Sequence, residues 1–111
     1  MARYQFIVLS QAKPGREEDF IAWYRDRHLQ DVSKQPGVVS AKLYQTDYQK
    51  VYTIDAPRWC LLTIYELESE DPAATVEAIR SKSGLPEMPE MDALDKTGMI
   101  IVVGHQIGEA V

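Results

Sequence analysis

Cysteine occurs once in the 111 residues, at Cys60, so no disulfide can close within the chain. A lone thiol suits a reducing compartment, and a cytoplasmic setting is the expectation. Histidine occurs twice, at His28 and His105, which leaves little material for a metal site. Basic residues fall short of acidic ones, 12 against 17, for a net charge of -5. That deficit argues against nucleic acid and anionic membrane surfaces as partners, because both are bound through basic patches. No apolar run approaches the ~18 residues of a bilayer span. Residues 1–5 open a strand pattern rather than a signal peptide. The later glycines, Gly84, Gly98, Gly104 and Gly108, are scattered and build no phosphate loop. Repeats, low-complexity segments and interdomain linkers are also missing. One domain over residues 1–111 is expected, large enough to bury roughly two-thirds of its unfolded surface.

What is present is a succession of short periodic elements. Residues 4–10 read as a first strand centred on Ile7-Val8-Leu9. Residues 17–35 read as a helix, with Pro14-Gly15 before it and Pro36-Gly37 stopping it. Glu17, Glu18 and Asp19 suit the positive end of its dipole. Residues 38–46 alternate as a second strand, and 47–57 form a polar, tyrosine-bearing connection. Residues 59–67 are a third strand. Asp71-Pro72 is a helix-start signal, with Asp71 as cap and Pro72 in the first turn. A second helix follows over 73–83 and ends at Gly84. Residues 85–97 read as an ordered loop, and 99–107 as a fourth strand. The order βαββαβ is that of a ferredoxin-like α+β fold: a four-stranded antiparallel sheet with two helices on one face. The third strand is apolar on both faces, Trp59, Leu61, Tyr65 and Leu67 against Cys60, Leu62 and Ile64. Two helices cover only one face. A second copy, packed sheet against sheet, is the expected cover for the other, making a homodimer.

The first helix carries the chemistry. At 100° per residue, Phe20, Ile21, Trp23, Tyr24 and Val32 gather on one side. Arg27, His28 and Asp31 fall among them, where a charge needs a partner or a polar cavity. The run Phe20, Trp23-Tyr24, His28-Leu29, Asp31-Val32, Pro36-Gly37-Val38, Ala41 resembles the EthD family of the dimeric α+β barrel superfamily. The motif covers about a fifth of the chain, and the order of elements extends the likeness over nearly all of it. The resemblance implies a dimeric α+β barrel with the histidine at position 28 facing a cavity between sheet and helices. It also implies a small-molecule activity, such as dehydration, isomerisation or decarboxylation of aromatic and polyketide-like compounds.

His28 is the candidate general acid–base, because its pKa lies near neutrality. The competing role is structural, a hydrogen bond to a carbonyl or to Asp31. Asp31, three residues on, is expected either to orient the imidazole or to pair with Arg27. Tyr24, Tyr44 and Trp59 are candidates to line the pocket, although aromatics in such positions also serve as core. His105 could join His28 and Asp31 as two histidines and a carboxylate, but no further ligand supports a metal there. No cofactor is expected, haem included. Cys60 reads as a small core hydrophobe in a strand centre. The leading expectation is a cofactor-independent lyase, dehydratase or isomerase acting on a small apolar compound. The alternatives are a non-catalytic carrier with the same pocket and a cofactor-free monooxygenase.

Overall fold

The computed structural model describes residues 1–52 and 59–111. Residues 53–58, which include five residues of the connection expected over 47–57, lie outside the described residues. Four strands, β1 (Ala2–Ala12), β2 (Val38–Gln45), β3 (Leu61–Ser69) and β4 (Leu94–Gly104), form one sheet in the order β2-β3-β1-β4. Every pairing is antiparallel. The central pair is long and in register, from Ala2 opposite Ser69 to Ser10 opposite Leu61.

Strict alternation along β3 assigns the two faces. Leu61, Thr63, Tyr65 and Leu67 are buried under the helices, and Leu62, Ile64 and Glu66 on the other face are half-buried. Phe6 and Val8 of β1 join the buried face, and Val32, Val76, Ile79 and Met88 pack down on it. The opposite face keeps an apolar centre. Ile7 stands between Ile64 and Val102, and Leu9 between Leu62 and Ile100. At its edges Tyr44, Ile100 and Val102 are 44%, 40% and 51% exposed. No helix of the described residues is long and apolar enough to cross a membrane.

Three expectations about elements need correction. The span 17–35 is not one uniform α-helix. It comprises α1 (Glu17–Trp23), a π-helical turn (Tyr24–His28) and α2 (Leu29–Ser33). The fourth strand begins at Leu94, not at 99, because Leu94 and Asp95 pair with Ala12 and Gln11. Between these pairs and Leu9–Ile100 the register slips, leaving residues 96–99 opposite Ser10 alone. Such an irregular bulge hides a strand from a period-two reading. Gly98 turns inside it at φ +74, a conformation that L side chains avoid. The strand also stops at Gly104, opposite Gln5, so residues 105–107 are not part of it. The second helix, α3 (Pro72–Arg80), is shorter than 73–83. Its start is as expected: the Asp71 carboxylate accepts from the Ala74 N–H at 3.1 Å, with Pro72 in the first turn.

Gly37 closes the turn from α2 into β2 at φ +93, and its carbonyl accepts from Glu68 N–H at 2.8 Å. A Cβ there would sit 3.0 Å from Thr75 Cγ2 and 3.4 Å from the Glu68 carbonyl oxygen. Gly37→Ala should therefore cost about 1–3 kcal/mol, through left-handed backbone strain plus crowding. Gly15→Ala, also at positive φ but with open space around it, should cost less. Urea denaturation of the two variants side by side checks the order.

Candidate functional site

The π-helical turn decides where the imidazole sits. The Leu29 N–H donates to the Tyr24 carbonyl, five residues back, instead of four. In an α-helix five residues turn through ~500°, which would leave His28 about 140° away from Trp23. The wider turn brings both neighbours to the same ring. His28 stacks on Trp23 with centroids 4.6 Å apart and planes at 23°, and meets Tyr24 edge-on at 4.7 Å. The imidazole is thus clamped between two aromatics. Its Nδ1 is buried and has no hydrogen-bond partner.

His28 and Tyr24 line a cavity of about 180 Å³ between the helices and the sheet. Its floor is buried and apolar, formed by Phe6, Val8, Val32, Ile79 and Met88, with Ser10 and Tyr65 among them. The Tyr24 and Tyr65 hydroxyls meet at 3.0 Å. Solvent-exposed Arg80, Ser83, Glu90 and Lys96 make a polar rim. Glu90 Oε1 accepts from Ser83 Oγ at 2.6 Å and from Lys96 Nζ at 2.8 Å, tying the chain after α3 to the β4 bulge. These two bonds hold the Glu90 carboxyl below its usual range.

Burial pushes the His28 pKa down to about 4, against the weaker opposing pull of Asp31 and Glu90. The imidazole is therefore neutral at physiological pH, with a lone pair available. Burial raises both phenols, Tyr65 well above the usual value, so both remain protonated. The cavity offers an uncharged interior with one basic nitrogen and several hydroxyls.

Of the five residues singled out from sequence, the structure brings two to the cavity, Tyr24 and His28. Asp31 is buried, but its Oδ2 accepts from Arg27 Nε at 2.8 Å, and it makes no bond to His28. It acts on the imidazole only through its charge. Tyr44 lies on the edge strand, on the face away from the helices, opposite Leu62. Trp59 is buried, and its indole N–H donates to the Gly98 carbonyl at 3.0 Å, clamping the β4 bulge instead of lining the pocket. His105 is exposed and packs edge-on against Tyr4, remote from His28 in the sheet. Among the described residues no three His, Cys, Asp or Glu side chains cluster to hold a metal. Cys60 sits just ahead of β3, half-buried, and burial pushes its thiol pKa up. Sequence reasoning missed Ser10, Met88 and the Glu90–Lys96 rim. Ser10 carried a signal, as a polar residue in phase with buried Phe6 and Val8. The rim carried none, because the bulge that presents Lys96 has no period.

No protein-family model and no curated protein matches this chain. Solved structures do. A candidate monooxygenase of Shewanella loihica PV-4 superposes with a TM-score of 0.60 at 17% identity, covering 97% of each chain. An EthD-family protein of Bacillus halodurans C-125 superposes at the same score and 12% identity, covering 95% of this chain and 99% of that one. At such identities the likeness is one of fold, the ferredoxin-like α+β arrangement of these proteins.

The depressed imidazole pKa couples to stability with a definite sign. Above pH 6.5 His28 is neutral whether the chain is folded or unfolded, and it contributes no pH dependence. Below 6.5 the unfolded chain takes a proton that the folded one refuses until about 4. Wild type should lose about 2–3 kcal/mol more than His28→Asn between pH 7.5 and 4.5. Urea denaturation of both proteins at the two pH values measures it, and equal losses would place the imidazole in water.

Proposed function

We propose that this chain is a cofactor-independent enzyme that moves a proton on a small, largely apolar ligand, with His28 as the base. One observation carries the reading: a neutral imidazole with an unpartnered buried nitrogen, clamped by Trp23 and Tyr24 in the wall of an apolar cavity. A purely structural histidine would spend that nitrogen on a carbonyl or carboxylate. The cavity volume is comparable to the roughly 150 Å³ that holds a benzene ring in an engineered core. It suits a small aromatic or polyketide-like compound.

The chemistry follows from the environment. A C–H beside a carbonyl gives its proton to His28, and the electron pair moves onto the carbonyl oxygen. The anion forming beside the ring raises the basicity of the imidazole, which burial otherwise holds low. Return of the proton at another carbon completes an isomerisation, and loss of a neighbouring group completes an elimination. This is lyase, dehydratase or isomerase chemistry. Tyr24 holds the imidazole edge-on, and the Asp31 charge favours the imidazolium. The fold shared with a candidate monooxygenase supports a second outcome of the same first step, capture of the carbanion by dioxygen.

The site works in a homodimer. Ile7, Leu9, Leu62, Ile64, Ile100 and Val102 present an apolar face that the helices do not cover. A second copy packed sheet to sheet buries it and closes an α+β barrel. A cytoplasmic setting accords with the single thiol.

Two experiments bear on this. His28→Asn should lower turnover about 10²–10⁴-fold on a substrate found among phenols, quinones and β-keto compounds. The acid limb of kcat/KM should lie near 4 instead of 6.5. Unchanged turnover in the folded variant would remove His28 as the base, and no turnover by wild type on any of these compounds would leave a carrier using the same pocket. Sedimentation equilibrium at micromolar concentration should return twice the chain mass, and Leu62→Asp should shift it to one chain mass while the helical signal is retained.

A further inference from the structure

Hydrogen-bond valence in the cavity floor does not close. Tyr24 and Tyr65 each carry one hydroxyl hydrogen, and the 3.0 Å contact between them uses one of the two. Among the described residues no group accepts the other in normal geometry. The Thr63 hydroxyl lies close enough to favour a charge on Tyr24, yet has no hydrogen bond of its own. If it took the spare hydrogen, its own would be left over, so the surplus persists. Ser10 Oγ, in the same wall, is likewise buried without a partner. Ser10 is diagonal to Thr63 across the β1–β3 pair, and Tyr65 is two residues beyond Thr63 on the same face. Among the described residues, the buried side-chain atoms without partners are Ser10 Oγ, Thr63 Oγ1 and His28 Nδ1. His28 meets the Tyr24 ring edge-on from the helix side, and Thr63 neighbours Tyr65 on the sheet face. A buried donor without an acceptor bears its desolvation uncompensated, and natural interiors keep few of them.

We propose that the Tyr24–Tyr65 hydroxyl pair is the oxygen-binding subsite of the cavity, donating its spare hydrogen to the carbonyl or phenol oxygen of a small uncharged ligand and taking up the negative charge that forms there. It rests on the reading of His28 as the base. When the C–H bond next to the carbonyl breaks, its proton goes to His28 and its electron pair becomes the carbon–carbon π bond. The carbonyl π pair becomes a lone pair on oxygen, and that enolate oxygen is the group the tyrosines hold. Two linked neutral donors suit this task, because the hydrogen bond strengthens as charge arrives and no counter-ion needs to be buried beforehand. The same geometry sets specificity. Carboxylates enter an interior with no buried cation, since Arg80 and Lys96 stand at the exposed rim.

4-Nitrophenol is a direct probe, because its phenolate absorbs in the visible and its ring fits the apolar floor. The ratio of bound phenolate to bound phenol is read from absorbance at saturating protein across a pH series. Tyr65→Phe and Tyr24→Phe should each lower that ratio, about tenfold for the tyrosine that donates to the ligand and less for the one that polarises it, because hydrogen bonds to charged oxygen exceed those to neutral oxygen by roughly that factor. Binding of benzene, which has no oxygen, should be unchanged. An unaltered ratio in either folded variant, or failure of wild type to bind the probe at millimolar concentration, would overturn the subsite. A tyrosine pair with a structural role alone would lower the melting temperature in both variants and leave the ratio where it was. If Tyr65→Phe fails to fold, Tyr24→Phe, on the helix side, decides the matter. His28→Asn separates the two readings: it should lower turnover about 10²–10⁴-fold and keep the tyrosine-dependent ratio. Loss of the tyrosine effect with intact His28 dependence would remove only the subsite.

Discussion

One hydrogen bond out of the α-helical register, from Leu29 N–H to the Tyr24 carbonyl, organises the functional end of this molecule. The wider turn costs helical regularity, and it allows His28 to touch both Trp23 and Tyr24. Downstream of it Val32 still reaches the core, and Asp31 turns to Arg27 and away from the imidazole. An uninterrupted α-helix through the same residues would separate the histidine from the tryptophan and present a different edge to the cavity. The aromatic clamp and the π-helical turn are therefore one feature, each requiring the other.

A second irregularity answers it from the sheet. The bulge at residues 96–99 lifts Lys96 to the rim, and Gly98 and Trp59 hold it in place. Ser10, opposite the bulge, is left facing the cavity with an idle hydroxyl. The helix distortion and the sheet distortion thus border one cavity, while Leu67 and Val76 pack in the core beside it. Irregular backbone and idle polar groups are concentrated where a ligand would sit, as expected when local order is given up for a site.

Much of the architecture was legible because it repeats locally. The Asp71-Pro72 start and the Pro36-Gly37 stop are properties of neighbours in sequence, and both are found in the fold; the third strand, expected over 59–67, is found two residues later, over Leu61–Ser69, with Trp59 and Cys60 ahead of it. That both faces of the sheet are apolar was legible too, from Leu62, Ile64, Ile100 and Val102 alternating with Leu61, Tyr65 and Ile101; which face the helices cover was not. The start of β4 was not. Leu94 and Asp95 belong to the sheet only through pairing with Ala12 and Gln11, some 80 residues away, and the bulge breaks the period that would have revealed them. Trp59 and Tyr44 were plausible pocket residues by type alone. Strand position and hydrogen bonding sent one to a clamp and the other to an edge.

By itself the sequence determined the order βαββαβ, the inward placement of Tyr24 and the choice of His28 as the ionisable group of interest. These follow from periodicity, end signals and composition, which are short-range. Only the tertiary structure decided which groups share the cavity. The Tyr24–Tyr65 hydroxyl bond joins residues 41 apart, and the Glu90–Lys96 bridge depends on the bulge. The pKa of His28 depends on what covers it, not on what precedes or follows it. Side-chain period specifies a face. Which atoms meet across that face is settled by packing, where a one-residue shift in a turn or strand exchanges every partner.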